Sequence, residues 1–507
     1  MHRPRLVPPF ALALGAIVAA SCSLAVESNL DSKPPSTPPA GTNQADAQPD
    51  STTQDSPYDA ALNDVTDEAA DAVEGLAEAD TDADADASVE PDADGATDAD
   101  GADDAETGPC AACPSSCCAG ACVDLQGDAR HCGSCANACL AGRSCSAGAC
   151  KRGWVVTSNA PANTGRSRAC AVWAGDRVFV WGGTNPSGSP VLGDGLLYYP
   201  KTDIWTTPSK VNAPSPRAEP LCLWTGAKVF VWGGLDGANL PLADGALWTP
   251  ATDTWEALPA TTVVGRSRPV AVWTGADAIL WGGVDPSNAH SVRTGSVWQP
   301  GGAGSWTEVN TQNSPQRNKE LAAAWSGSEL LLFGGRDDVG DHVVATLVAY
   351  RPPATNAWTD PATTGTPPSE RSAAFAAFAI SHMFVWGGLD AVHATMADGG
   401  RLSVSASSAW EPMSTTGAPS PRAQVPFESG WVFADQGKIR LFGGTLTASI
   451  ATDGATYDMA SDTWSPIPSW ATGAHHYGIG VWTGSEFMVW GGTDGTTALL
   501  KGSRWTP

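Results

Sequence analysis

Apolar residues are unevenly spread along this chain of 507 residues; after residue 154 they fall in short runs, each stopped by a pair of glycines. The second run serves as a template. Arg217 opens it, Leu221-Cys222-Leu223-Trp224 is a short apolar stretch, and Thr225-Gly226 turns the chain. Lys228-Val229-Phe230-Val231-Trp232 then ends at Gly233–Gly234, and Gly245-Ala246-Leu247-Trp248-Thr249-Pro250 leads to a lone Trp255. Apolar runs of this length bounded by glycine turns predict β-strands. Their lack of polar alternation predicts sheets covered on both faces.

The unit recurs seven times, with diglycines at 182–183, 233–234, 282–283, 334–335, 387–388, 443–444 and 491–492. Their spacing of 48 to 56 residues lies in the range of propeller blades. The predicted fold is all-β, a seven-bladed β-propeller over residues 153–507. The seventh copy stops at Gly502-Ser503-Arg504-Trp505-Thr506-Pro507, short of a terminal Trp. An unpaired strand edge would expose backbone and apolar surface. Gly153-Trp154-Val155-Val156-Thr157 carries a spare Trp and is expected to supply the missing strand and close the ring.

Composition adds three further segments. Residues 1–107 hold 24 of the 54 acidic residues and only Arg3, Arg5 and Lys33 as bases, so most of the net charge of −26 belongs to them. Neither this segment nor the mildly acidic remainder suits a nucleic-acid binder. Residues 1–22 read as an export signal: His2, Arg3 and Arg5, then an apolar run from Phe10 to Ala20 too short to span a bilayer. Val18-Ala19-Ala20-Ser21-Cys22 is similar to a bacterial lipoprotein box, departing from it at Ala19; the resemblance implies lipidation at Cys22 and a membrane link by lipid alone. Residues 23–107 are rich in Pro, Ser, Thr, Ala and Asp, which predicts a disordered acidic linker.

Residues 108–152 contain Cys110, Cys113, Cys117, Cys118, Cys122, Cys132, Cys135, Cys139, Cys145 and Cys150. Zinc is one reading, because Cys110-Ala-Ala-Cys113 and Cys132-Gly-Ser-Cys135 have ligand spacing. An even count in so short a segment behind an export signal favours a disulfide framework. The strings Cys117-Cys118-Ala-Gly-Ala-Cys122 and His131-Cys132-Gly-Ser-Cys135 resemble cysteine-rich repeats of the stigma-specific type. That resemblance implies a rigid extracellular knob without catalysis.

The diglycine, the downstream aromatic and the late Trp resemble kelch repeats across residues 154–507. Gly195 to Trp205, Gly245 to Trp255 and Gly454 to Trp464 share one separation, whereas blade five carries Val404 where an aromatic is expected. Sixteen residues before the diglycine stand Arg166, Arg217, Arg266, Arg371 and His475, with Arg317 and Arg422 slightly further away. The resemblance places these near the entry of each innermost strand. There they suit carboxylates or acidic and sulfated sugars, or else tie blades together structurally. Asp236, Asp285, Asp337, Asp390 and Asp494, two residues past the diglycine, are expected to cap turns. Cys170 and Cys222 are expected to pack as small hydrophobes.

The expected function is recognition: an exported, lipid-anchored binding protein that takes an extracellular protein or glycan through its propeller loops, with no cofactor or metal. The alternative is a carbohydrate-active kelch enzyme. A sialic-acid-type epimerase would nominate His475 and Glu428 as acid and base. A copper radical oxidase would draw on His475-His476-Tyr477 and lacks an evident second tyrosine.

Overall fold

A computed structural model describes residues 113, 116–185, 188–285, 290–302, 304–316, 319–337, 341–352, 355–405, 407–425, 430–494 and 497–507. Cys22, the acidic linker, Cys110, Arg317 and Glu428 lie outside the described residues.

Seven four-stranded antiparallel sheets follow one another. Their first strands are Cys170–Trp173, Leu221–Trp224, Val270–Trp273, Ala322–Trp325, Phe375–Ala379, Trp431–Asp435 and Ile479–Trp482, and these define blades 1 to 7. First strands of adjacent blades meet one another, so they surround the axis. Blade 7 takes its outermost strand from the other end of the chain: Gly153–Val156 pairs antiparallel with Ser503–Thr506, placing Trp154 opposite Trp505. The ring closes as the sequence predicts.

The diglycines work because both residues take left-handed backbone angles, φ 67° and 94° at Gly182 and Gly183. A Cβ on either would come within 2.5 Å of a carbonyl oxygen, of Arg217 or of Ser167. Any side chain there would therefore push adjacent backbone apart.

The late tryptophans hold blade to blade. In every blade but the fifth the late Trp sits on an outer strand opposite an aromatic of the third strand, as Trp255 opposite Trp248 and Trp464 opposite Tyr457. Each also packs on the second strand of the preceding blade: Trp255 lies 4.6 Å from Trp181, Trp358 4.4 Å from Trp281 and Trp464 4.6 Å from Trp386. Such pairs add about 0.5–1.5 kcal/mol beyond the area they bury. Their indole N–H groups donate to the incoming connection, Trp255 to the Ser209 carbonyl at 2.7 Å and Trp358 to that of Asn310 at 2.7 Å.

Two expectations need correction. In blade 5 the residue opposite Trp410 is Leu402, not Val404; it stands three residues past Gly399, as Trp248 does past Gly245. Cys170 and Cys222 are buried in an apolar cluster, but as a disulfide. They lie on the first strands of neighbouring blades with Cα atoms 5.6 Å apart, inside the range a disulfide spans. Linear sequence gives no measure of that cross-blade distance.

The cysteine module forms two small hairpins, Ser116–Cys118 with Ala121–Val123 and Cys145–Ser146 with Ala149–Cys150. Cys113–Cys122, Cys118–Cys135, Cys132–Cys145 and Cys139–Cys150 are disulfides, and Cys117 is disulfide-bonded as well. Cys132, Cys139 and Cys150 cluster at metal-ligand distances, but their sulfurs are bonded to cysteines and offer no thiolate.

Candidate functional site

The residue after each described recurrent Arg or His bridges to the residue after its diglycine, as Ser167 to Thr184 and His476 to Thr493. The innermost strands therefore begin on the same face as the diglycine loops, at one mouth of the ring.

At this mouth the recurrent arginines are turned into the scaffold. Arg166, Arg217, Arg266, Arg371 and Arg422 are all at most 2% exposed. Each donates to the first diglycine carbonyl of its own blade: Gly182, Gly233, Gly282, Gly387 and Gly443, at 2.9 to 3.2 Å. Each also donates through Nε to the carbonyl two residues back, as Arg217 to Ser215 at 2.9 Å. Asp194, Asp244, Asp398 and Asp453 pair with Arg166, Arg217, Arg371 and Arg422. Blade 3 has Thr294 in that place, donated to by Arg266 at 2.8 Å. Burial pushes the Arg266 guanidinium down to about 10, with Asp285 opposing the shift.

The arginine backbone completes the lock. The second diglycine N–H of one blade donates to the arginine carbonyl of the next, as Gly183 to Arg217 at 2.8 Å and Gly492 to Arg166 at 2.7 Å. His475 does the guanidinium's work in blade 7. Fully buried, it holds the Gly491 carbonyl through Nδ1 at 2.7 Å and Thr472 Oγ1 through Nε2 at 2.7 Å. A carbonyl only accepts, so Nδ1 carries the proton and Nε2 accepts from Thr472. Burial lowers the imidazole to about 4, the Gly491 bond opposing it, so His475 is neutral at pH 7.

The turn aspartates fit their expected role: Asp236 Oδ1 accepts from the Ala238 and Leu240 N–H groups, and Asp390 Oδ1 from those of Val392 and Ala394.

Two residues past each recurrent Arg or His, and three past Arg317 in blade 4, lies a second ring, which the sequence reading passed over: Arg168, Glu219, Arg268, Glu320, Ala373, Gln424 and Tyr477. All but Gln424 take a positive φ, from 51° to 60°, a conformation that costs about 1–3 kcal/mol in a non-glycine residue and clusters at functional sites. Backbone bonds run around the ring: Arg168 N–H to Tyr477 O at 3.0 Å, Glu219 to Arg168 at 2.8 Å, Ala373 to Glu320 at 2.8 Å and Gln424 to Ala373 at 2.7 Å. The side chains differ from blade to blade. Glu219 is buried and accepts from Arg268 through both of its oxygens, with Nε at 2.6 Å. Buried Arg336 lies 3.7 Å from Glu320 and donates to the Asp390 carbonyl at 2.8 Å; Glu320 Oε2 is buried without a hydrogen bond.

Arg168 is the exception. Its side chain is 28% exposed, lies 3.7 Å from a Glu219 carboxylate already held by Arg268, and stands 5.3 Å over the Tyr477 ring. Among the described residues its guanidinium donates no hydrogen bond. The signal in the sequence was the varying residue in Arg166-Ser-Arg168, Arg217-Ala-Glu219, Arg371-Ser-Ala373 and His475-His-Tyr477, read against the repeated one two places earlier.

A β-propeller with paired glycines, inter-blade tryptophans and buried arginines is of the kelch type. Residues 269–492 match the KLHDC2/KLHL20/DRC7 Kelch-repeats domain, and residues 99–153 match the Stigma-specific STIG1-like protein family. The chain carries a kelch-repeat propeller behind a STIG1-like cysteine module. No curated protein matches it. Among solved structures it is similar to a fungal alcohol oxidase of the AA5 family in complex with copper, with 14% identity, 70% of this chain and 76% of that one covered, and a TM-score of 0.53. It is also similar to YjhT, with 15% identity, 62% and 99% covered, and a TM-score of 0.45. At such identity the first likeness shows the fold alone.

Copper does not fit the residues nominated for it. Both ring nitrogens of His475 are committed to protein partners, and the disulfide between Cys170 and Cys222 leaves neither sulfur for a thioether.

Proposed function

We propose that this chain is an exported binding protein, anchored at the cell surface through Cys22, whose propeller mouth takes an anionic group of an extracellular glycan or protein. The observation that carries this reading is Arg168: a partly exposed guanidinium, near an aromatic ring and the Glu219 carboxylate, with no hydrogen bond of its own among the described residues. A guanidinium presents five donors in a planar fork matched to carboxylate or phosphate, and one half-withdrawn from water gains most from such a partner. Diglycine-face loops surround it, and loops on a rigid scaffold are where recognition sits. The disulfide module is compatible with an extracellular protein. The acidic linker would hold the propeller clear of the surface.

The enzymatic alternative loses one of its two nominated acid/base residues, because His475 holds the scaffold. The test is binding of the purified full chain and its Arg168→Ala variant to matched probes: a uronic-acid oligosaccharide against its neutral reduced form, and an acidic peptide against its amide form. Selective retention of a charged member, weakened about tenfold or more in the variant, supports the reading. Equal binding of charged and neutral members, or unchanged binding by the variant, overturns it. A glycan altered in mass or stereochemistry would make the protein an enzyme.

A further inference from the structure

The cysteine module touches the propeller at the blade where the ring closes. Arg143, in the loop that Cys139–Cys150 closes, leaves the module and enters blade 7. Its Nε and Nη2 donate to Glu486 Oε1 at 3.1 and 2.9 Å. Its Nη1 donates to the carbonyls of Lys151 and Gly153, at 3.1 and 3.0 Å, where the closing strand begins. Arg504, which faces Val155 across the seam, donates to the other Glu486 oxygen at 3.1 Å and to the carbonyl of Ala141 in the same module loop. Thr506 Oγ1 donates to Glu486 Oε1 at 3.0 Å. The Arg143, Glu486 and Arg504 side chains are all at most 2% exposed. A Cβ added at Gly142, which takes φ 80°, would come within 4 Å of both Arg504 and Val155.

Three charges are therefore buried together, and one of them belongs to the module. Removing one member of a buried, hydrogen-bonded set costs far more than an exposed pair, because the remaining charge stays desolvated. The Arg143 loop is in turn fixed by disulfides on both sides, Cys132–Cys145 and Cys139–Cys150, the latter ending three residues before the closing strand.

We propose that the cysteine module is a redox-dependent clasp for the propeller, in which oxidation holds Arg143 in the Glu486–Arg504 pair and thereby secures the closing strand. On reduction by a dithiol, each module disulfide takes up two electrons and two protons to give two thiols, while the reductant becomes a cyclic disulfide. The loop then loses its anchors and Arg143 withdraws. The ring remains strand-closed but unclasped.

The experiment uses the full chain carrying Cys170→Ala and Cys222→Ala, so that the propeller's own disulfide does not contribute. Thermal unfolding is followed with and without dithiothreitol, in this background and with Arg143→Met added. Arg143→Met is expected to lower the propeller's unfolding temperature by about 5 °C. Reduction should lower the background protein by a similar amount and the Arg143→Met protein by much less. Hydrogen exchange adds a local readout in the natural sequence: reduction should accelerate the amides of residues 153–156 and 503–506 about tenfold relative to blade 4. An Arg143→Met protein as stable as its background, an equal reductive loss in both proteins, or unchanged seam protection on reduction would each overturn the clasp. None of these readouts depends on what the mouth binds.

Discussion

Two rings of residues stand two positions apart, three in blade 4, at the same mouth, and they have opposite fates. The first repeats Arg from blade to blade and turns each guanidinium inward, onto the carbonyls that shape the diglycine turn. The second carries Arg, Glu, Ala, Gln or Tyr on a backbone held at positive φ in six of seven blades. The repeated residue solves a problem that every blade shares, namely how to satisfy buried carbonyls at a sharp turn. The varied one answers to nothing in the repeat and is free to be chosen by something else. In a repeat protein the departures from the pattern mark the site more reliably than its most regular charged residues.

This contrast can be broken by substitution. The largest effect belongs to the first ring: Arg217→Met should cost about 3–5 kcal/mol in denaturant unfolding, because it strands the carbonyls of Ser215, Gly233 and Asp244 that the guanidinium holds. A loss under about 1 kcal/mol would show the ring to be dispensable. His475 should come next, and only in acid. Its folded value of about 4 lies below the ordinary 6.5, so the unfolded chain binds the extra proton between those values. The contribution is full above about pH 6.5 and fades as the pH falls towards 4, by up to about 3 kcal/mol. His475→Gln, compared with the parent across that window, should remove this part of the slope; parallel curves would contradict it.

Within the second ring, Glu219→Gln should cost about 1.5–3 kcal/mol by loosening its grip on Arg268. The smallest effect on stability is expected at Arg168. Arg168→Ala should leave unfolding within about 0.5 kcal/mol of the parent, while the proposed anion binding should weaken. A large loss there would move Arg168 into the scaffold and collapse the distinction between the rings.

The blade number, the closing strand and the tryptophan seams were legible because each is a periodic demand. A diglycine every blade and a lone Trp every blade follow from one geometry repeated seven times. In blade 5 the adjacent Gly399 and Gly400 blur where the third strand starts, and register places Leu402, not Val404, opposite Trp410. The Cys170–Cys222 bridge, the pairing inside the cysteine module and the arrival of Arg143 at Glu486 depend on distances between segments far apart in sequence. The second ring was overlooked for a different reason. Its meaning lies in backbone conformation, and nothing in Arg168 or Tyr477 as residue types announces a left-handed turn.

Closure by Gly153–Val156 against Ser503–Thr506 also orders events during synthesis. The strand made first must wait for its neighbour until nearly the whole propeller has been translated. A message broken anywhere before codon 503 yields a chain whose opening strand has no partner and whose Trp154 finds no Trp505. Such a product carries an exposed edge that quality-control proteases can recognise. The ring thus closes only in a chain that contains both of these strands.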